Sequence, residues 1–137
     1  MLRVVIDPNV FVSAVISPDG VPGEVVRAAL ARKFHLVVSA SLIGELSDVL
    51  SRPKLRPYID AEQARTLVDS ILGVAELLDT PKSTGSRVRD ADDEYLCVLA
   101  DAAAADVLVS GDRDLADAAL VTGIVMTPRA FLDELRS

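Results

Sequence analysis

Scarcity of certain residues narrows the chemistry of this chain before any motif is considered. It has no tryptophan and only two tyrosines in 137 residues, so stacking successive bases on aromatic platforms would be hard. The one cysteine, Cys97, excludes an intrachain disulfide. It falls inside a helical pattern, where a small buried apolar residue is the expectation. The one histidine, His35, begins a strand pattern and has no second imidazole with which to share a metal, so its expected role is structural. No apolar stretch approaches the ~20 residues that cross a bilayer. The N-terminal run "LRVVI" is too short for a signal sequence and lacks a cleavage site. A soluble cytoplasmic protein with no membrane partner is the expectation. Basic residues are a minority, 14 against 21 acidic, for a net charge of -7. Taken alone, that charge argues against nucleic acid as a partner. The objection weakens if several acids gather and hold divalent cations, which reverse the local sign.

Half of the residues are hydrophobic and only 4% aromatic, so the core must be built from Val, Leu, Ile and Ala, as in a layered α/β protein with buried parallel strands. The length matches a single domain over residues 1–137, and no internal repeat, linker or low-complexity tract interrupts it.

Residues 2–6, 35–39, 74–78, 106–110 and 123–126 read as short strands. Helical patterns occupy residues 9–16, 22–33, 41–51, 60–72 and 92–104, then a short stretch after Asp114 and a closing segment from Pro128. Ser39 or Ser41, Asp60 and Thr127 are the expected N-caps, and Pro22 and Pro128 stand at permitted first-turn positions. The polar segment 79–91 is the one long loop. Strands alternating with helices imply right-handed crossovers and a parallel sheet covered on both faces.

In such a sheet, ligands bind beyond the carboxyl ends of the strands. Asp7 ends the first strand and Asp112 follows the fourth by two residues, so both belong at that rim. Glu45 lies about 40° outside the apolar arc of Leu42, Ile43, Leu46, Val49 and Leu50 at 3.6 residues per turn. Asp93 shares a helix side with Leu96 and Ala100 and sits in a first turn, where the macrodipole favours an anion. Converging carboxylates repel unless protonated or neutralised by metal. Oxygen-only ligation with no nearby His or Cys points to Mg²⁺ or Mn²⁺.

Four ordered blocks, "VVIDPNVFVSAVIS" (4–17), "LVVSASLIGELSDVLSRPKL" (36–55), "RDADDEYLCVLADAAAADVLVSGDRDL" (89–115) and "GIVMTPRAFLDEL" (123–135), resemble the PIN-domain nucleases. The resemblance covers essentially the whole chain and is closest to the toxin components of toxin-antitoxin (VapC-like) systems. It implies a three-layer α/β/α sandwich with a parallel sheet of about five strands. It also implies Mg²⁺ or Mn²⁺ bound by Asp7, Glu45, Asp93 and Asp112, with Asp114 as an outer or second-metal ligand. The substrate it implies is RNA, many members act as homodimers, and an antitoxin protein silences them. The chain departs from the family where Pro8 replaces the usual Thr or Ser, where Ala91 replaces a frequent Pro, and where Ser110 stands for a frequent Thr but keeps its hydroxyl.

The chemistry implied is metal-assisted hydrolysis of a phosphodiester. Asn9 is placed to hydrogen-bond a ligand or a neighbouring carboxylate, and Ser110 or Arg113 to touch phosphate, with Arg113 suiting an ordinary exposed helix start equally. Asp90 and Asp92 suit capping of the following helix as well as metal binding. Substrate contacts would come from Arg52, Lys54 and Arg56 and from Lys82, Arg87 and Arg89, unless these form ordinary solvated faces. Leu67, Val68, Ile71 and Leu72 suit a partner protomer or ordinary core equally.

Two competing readings remain. An inactive PIN-like scaffold would bind RNA or protein without cleaving. A receiver-type signalling domain would share the acidic Mg²⁺ pocket, but it needs a Lys after the fifth strand, which "GIVMTPR" lacks, and a strand end within residues 51–60.

Overall fold

Every strand is a short aliphatic run. In β1 (Arg3–Ile6), β2 (His35–Ser39) and β4 (Val107–Val109) buried residues follow one another without alternation, as required of strands covered on both faces. The computed structural model describes residues 1–79 and 91–137, with residues 91–93 described by backbone alone. Two further strands, β3 (Glu76–Leu78) and β5 (Ile124–Met126), are more exposed and form the edges of a five-stranded parallel sheet of order β3-β2-β1-β4-β5.

Helices α1 (Pro8–Ile16) and α2 (Val21–Leu30) connect β1 to β2. Helix α3 (Ala40–Leu50), a 3-10 turn (Pro53–Leu55) and α4 (Ala61–Val74) connect β2 to β3. Helix α5 (Ala91–Ala102) precedes β4, α6 (Arg113–Ala116) joins β4 to β5, and α7 (Pro128–Arg136) closes the chain. From β1 the chain steps outward to β2 and β3, then returns to the other side of β1 for β4. With right-handed crossovers these two excursions lie on opposite faces. Accordingly α1, α2, α3, α4 and α7 pack among themselves while α5 packs on β1 and β4, which makes a three-layer α/β/α sandwich. The order also differs from the 2-1-3-4-5 sheet of receiver-type folds, and residues 53–55 form a 3-10 turn where a receiver needs a strand end.

The core is aliphatic, as the composition requires. Ile6, Leu36, Leu42, Leu46 and Leu108 are fully buried, each contributing roughly 1.5–3 kcal/mol on transfer from water. Cys97 is buried among them. Ile71 is buried, Leu67 and Val68 pack half-buried against the core, and Leu72 is exposed. Among the described residues no helix is long and apolar enough to cross a membrane.

Ser39, Asp60 and Thr127 cap α3, α4 and α7 through bonds from Leu42, Gln63 and Ala130 backbone N–H groups. The sequence pattern overruns two helices, because α2 stops at Leu30 and α5 at Ala102. Each ends in a Schellman-type turn: Lys33 N–H reaches Ala28 O and Ala105 N–H reaches Ala100 O. The left-handed residue is Arg32 (φ 59°) in one and Ala104 (φ 50°) in the other, so no glycine marks either stop.

At the amino ends of the strands, Arg3 Nη1 and Nη2 donate to Glu76 at 3.3 and 3.4 Å, and His35 Nε2 lies 2.8 Å from Glu76 Oε1. Arg3 Nε also donates to Ala103 O at 2.8 Å. His35 therefore has the structural partner expected of it, at the sheet end opposite the strand carboxyl termini.

Candidate active site

What meets at the carboxyl ends of β1 and β4 follows from their register. Val4, Val5 and Ile6 pair with Val107, Leu108 and Val109, so the next step sets Asp7 beside Ser110. The chain leaves β1 toward one sheet edge and β4 toward the other, which makes this the topological switch point where open α/β sheets bind ligands.

Asp7 N–H donates to Val109 O at 2.9 Å, and Ser110 Oγ donates to Asp7 Oδ2 at 2.8 Å. Asp112 N–H donates to the same Ser110 Oγ at 3.0 Å. Asp112 Oδ1 in turn accepts from Asp114 N–H at 2.9 Å, which caps α6. A continuous chain of bonds therefore runs from the Asp112 backbone through the Ser110 hydroxyl to the Asp7 carboxylate.

Asp7 also caps α1, its Oδ1 accepting from Asn9 N–H at 2.9 Å. Pro8 occupies the first helical position, where the missing N–H is not needed and the fixed φ suits the helix. Position 8 thus carries a helix start instead of a hydroxyl, and the hydroxyl that reaches Asp7 comes from Ser110 across the sheet. Asp7 is only 3% exposed. Burial pushes its carboxyl above the ordinary aspartate range and the charge of Asp112 adds to this, while the bonds from Asn9 and Ser110 pull it down.

A cavity of about 420 Å³ opens over this pair. Asp7, Asn9, Val10 and Ser13 form one wall, Gly111 and Asp112 another, and Pro22 and Pro128 close the sides. Ser13 stands one helical turn beyond Asn9 on the same face, and that i+4 spacing is the sequence signal by which it could have been found.

The other expected site residues are placed less centrally. Glu45 is exposed, and its Oε2 accepts from the Tyr95 hydroxyl. That bond links the two side chains two residues along from Asp93, whose side chain, like that of Asp92, lies outside the described residues. Tyr95 is 50 positions from Glu45, and nothing in the local sequence pairs them. Asp114 and Arg113 are exposed in the first turn of α6. Ser110 is 2% exposed, with its hydroxyl engaged by Asp7 and Asp112. Asp90, Lys82, Arg87 and Arg89 fall outside the described residues.

Among the described residues no group of three or more His, Cys, Asp and Glu side chains is placed to hold a metal ion. The donor set nonetheless fits a hard divalent cation in kind. Asp7 and Asp112 are oxygen donors lining one cavity, the donor type that hard divalent cations take.

Fold and site define an α/β/α domain with an acidic crevice at its β1–β4 switch point. The chain belongs to the PIN-domain family, whose model, described as "PIN domain", matches residues 3–114. The PIN domain is a nuclease fold, and its members typically use divalent metal ions. A relative named "Uncharacterized protein MJ1680", from Methanocaldococcus jannaschii, is 31% identical over 114 residues, covering 83% of this chain and 73% of that protein. The structure of PAE2754 from Pyrobaculum aerophilum superposes with a TM-score of 0.67 at 18% identity, covering 98% of this chain and 90% of that one. VapBC2 from Rickettsia felis, solved bound to a DNA fragment from their promoter, gives a TM-score of 0.65 at 16% identity, with 92% of this chain and 98% of that one covered.

Proposed function

We propose that this chain is a single PIN domain over residues 1–137 and a Mg²⁺- or Mn²⁺-dependent endoribonuclease. The observation that carries the reading is the buried Asp7 carboxylate, held by Ser110 and Asn9 beside Asp112 in the wall of the same cavity. Such an arrangement costs stability unless a cation offsets the charge, and a fold retains it where it is used.

Asp7 and Asp112 would hold the metal, with Glu45, Asp93 and Asp114 completing or extending the set. A bound divalent ion would supply activated water and charge stabilisation at the phosphoryl group. The chain's own residues do the rest. Ser110 fixes the Asp7 carboxylate by donating to Oδ2, and the Asn9 backbone holds Oδ1. The Asn9 side chain and Ser13 line the cavity wall and would give polar contacts to the sugar-phosphate strand, and the exposed Arg113, next to Asp112, would contact phosphate. Pro22 and Pro128 give the cavity rigid sides.

The reading includes a toxin role in the cytoplasm, with RNA as substrate, an antitoxin protein as partner and a homodimer as the working form; of these, the likeness to VapBC2 bears on the antitoxin partner alone. A scaffold without catalysis is the second reading, favoured by Pro8 alone. Incubating the protein with single-stranded RNA and Mn²⁺ tests the proposal. Cleavage that disappears in Asp7→Asn and on chelation supports it, and full cleavage in Asp7→Asn rules out the site.

A further inference from the structure

A second cavity of about 260 Å³ lies between α3 and α4, away from the acidic crevice residues. Its floor is apolar, from Ala61, Ala64 and Val68, and Arg56 and Arg65 stand at its rim with the hydroxyl-bearing Ser47 and Ser51. The surrounding charge is unusual for this chain. Over residues 48–69 the basic residues Arg52, Lys54, Arg56 and Arg65 balance Asp48, Asp60, Glu62 and Asp69, whereas the whole chain carries a net -7.

Much of the local acid is already committed. Asp60 is engaged in the α4 capping box, accepting from Gln63 N–H at 2.7 Å, and Asp48 pairs with Arg52 at 3.2 Å. Arg56 directs one Nη to Leu50 O at 2.6 Å. Among the described residues neither Lys54 nor Arg65 has a hydrogen-bond or ion-pair partner. An apolar floor beneath unneutralised guanidinium groups suits a ligand with a flat apolar body and an anionic edge. Arginine planes also stack on nucleobases, which answers the shortage of aromatics, and Tyr58, one of the two tyrosines, is 53% exposed in the same stretch.

We infer that the α3–α4 cavity is a nucleotide subsite for single-stranded RNA, with the base against Ala61, Ala64 and Val68 and a phosphate at Arg56 and Arg65. The inference rests on the nuclease reading for the identity of the strand, and the subsite holds RNA away from the reacting phosphate. The volume, about 260 Å³, falls just below the roughly 300 Å³ at which ligand pockets begin, so the cavity takes the base while the sugar-phosphate stays outside it at the arginines.

The test is fluorescence anisotropy of a labelled single-stranded RNA oligonucleotide in chelator-containing buffer, where binding is read without cleavage. Arg65→Glu should weaken binding about tenfold or more. It should also make the salt dependence shallower by about 0.7 for each phosphate no longer neutralised, a change that a merely structural role does not produce. Arg65→Lys, which keeps the charge but not the planar stacking, should fall between. Arg56→Glu, at the other rim arginine, serves as a second variant should Arg65→Glu misfold by circular dichroism. Unchanged affinity and salt slope in both Glu variants overturns the subsite. Mn²⁺-dependent cleavage by the unaltered protein, measured alongside, shows whether the nuclease reading stands when the subsite falls.

Discussion

Ser110 and Asp7, 103 positions apart in the chain, are joined by a 2.8 Å hydrogen bond in the buried floor of the acidic cavity. The bond exists because β1 and β4 pair in a register that ends on these two residues. It does two things together, since Ser110 Oγ also accepts from Asp112 N–H. One hydroxyl therefore holds both the Asp7 carboxylate and the Asp112 backbone.

Removing that hydroxyl should be costly in a specific way. Ser110→Ala leaves the Asp112 N–H and one Asp7 oxygen without their buried partner and should lower stability by about 1–3 kcal/mol. If Asp7 holds metal, cleavage should fall about 10–100-fold, the usual effect of losing a residue that orients a ligand. Ser110→Thr keeps the hydroxyl and should retain most of both. Urea unfolding and RNA cleavage rates check the pair, and equal losses in Ala and Thr would assign the effect to packing.

Acid stability should depend on Glu76. The Arg3 guanidinium and then the His35 ring hold its carboxyl below the usual glutamate range. A carboxyl with a depressed folded-state value contributes stability that is present above its unfolded value and is lost as pH falls through the folded one. Stability should therefore decline on acidification below the ordinary glutamate range. Glu76→Gln should be less stable at neutral pH and should show a flatter acid limb. Thermal melts across pH 3–7 (roughly the carboxylate range) measure it, and parallel curves for both proteins contradict the assignment.

Ala104 carries a left-handed backbone, φ 50°, at the end of α5. A side chain there costs about 1–2 kcal/mol, partly offset by the greater freedom that glycine has when unfolded. Ala104→Gly should raise stability by about 0.5–1 kcal/mol, seen as a higher urea midpoint with an unchanged slope. A lower midpoint would show that the Cβ makes compensating contacts.

The same residue shows why parts of the fold are hard to read from sequence. Ala104, like Arg32, is a good helix former with no glycine or proline beside it, so the helical pattern runs past stops that tertiary packing imposes. The 3-10 turn Pro53–Leu55 leaves no periodic trace in three residues. The strands are legible because burial on both faces demands unbroken aliphatic runs, as in "VVI" and "VLV", and the caps are legible because Ser39, Asp60 and Thr127 bond within three residues. At the site, Asp7 and Asp112 can be placed by their offsets from strand ends. The Ser110 link to Asp7 and the Tyr95 bond to Glu45 depend on sheet register and helix packing across long stretches of chain, which local pattern does not encode.

Membership of Asp7 in a divalent-metal site is tested most directly by calorimetric titration of Mn²⁺ into the metal-free protein and into Asp7→Asn. Asparagine keeps the α1 cap, so the variant should stay folded. Saturable binding that weakens at least tenfold in the variant, about 1.4 kcal/mol, is the expected result. Equal binding in both proteins, or none in the unaltered one, contradicts it.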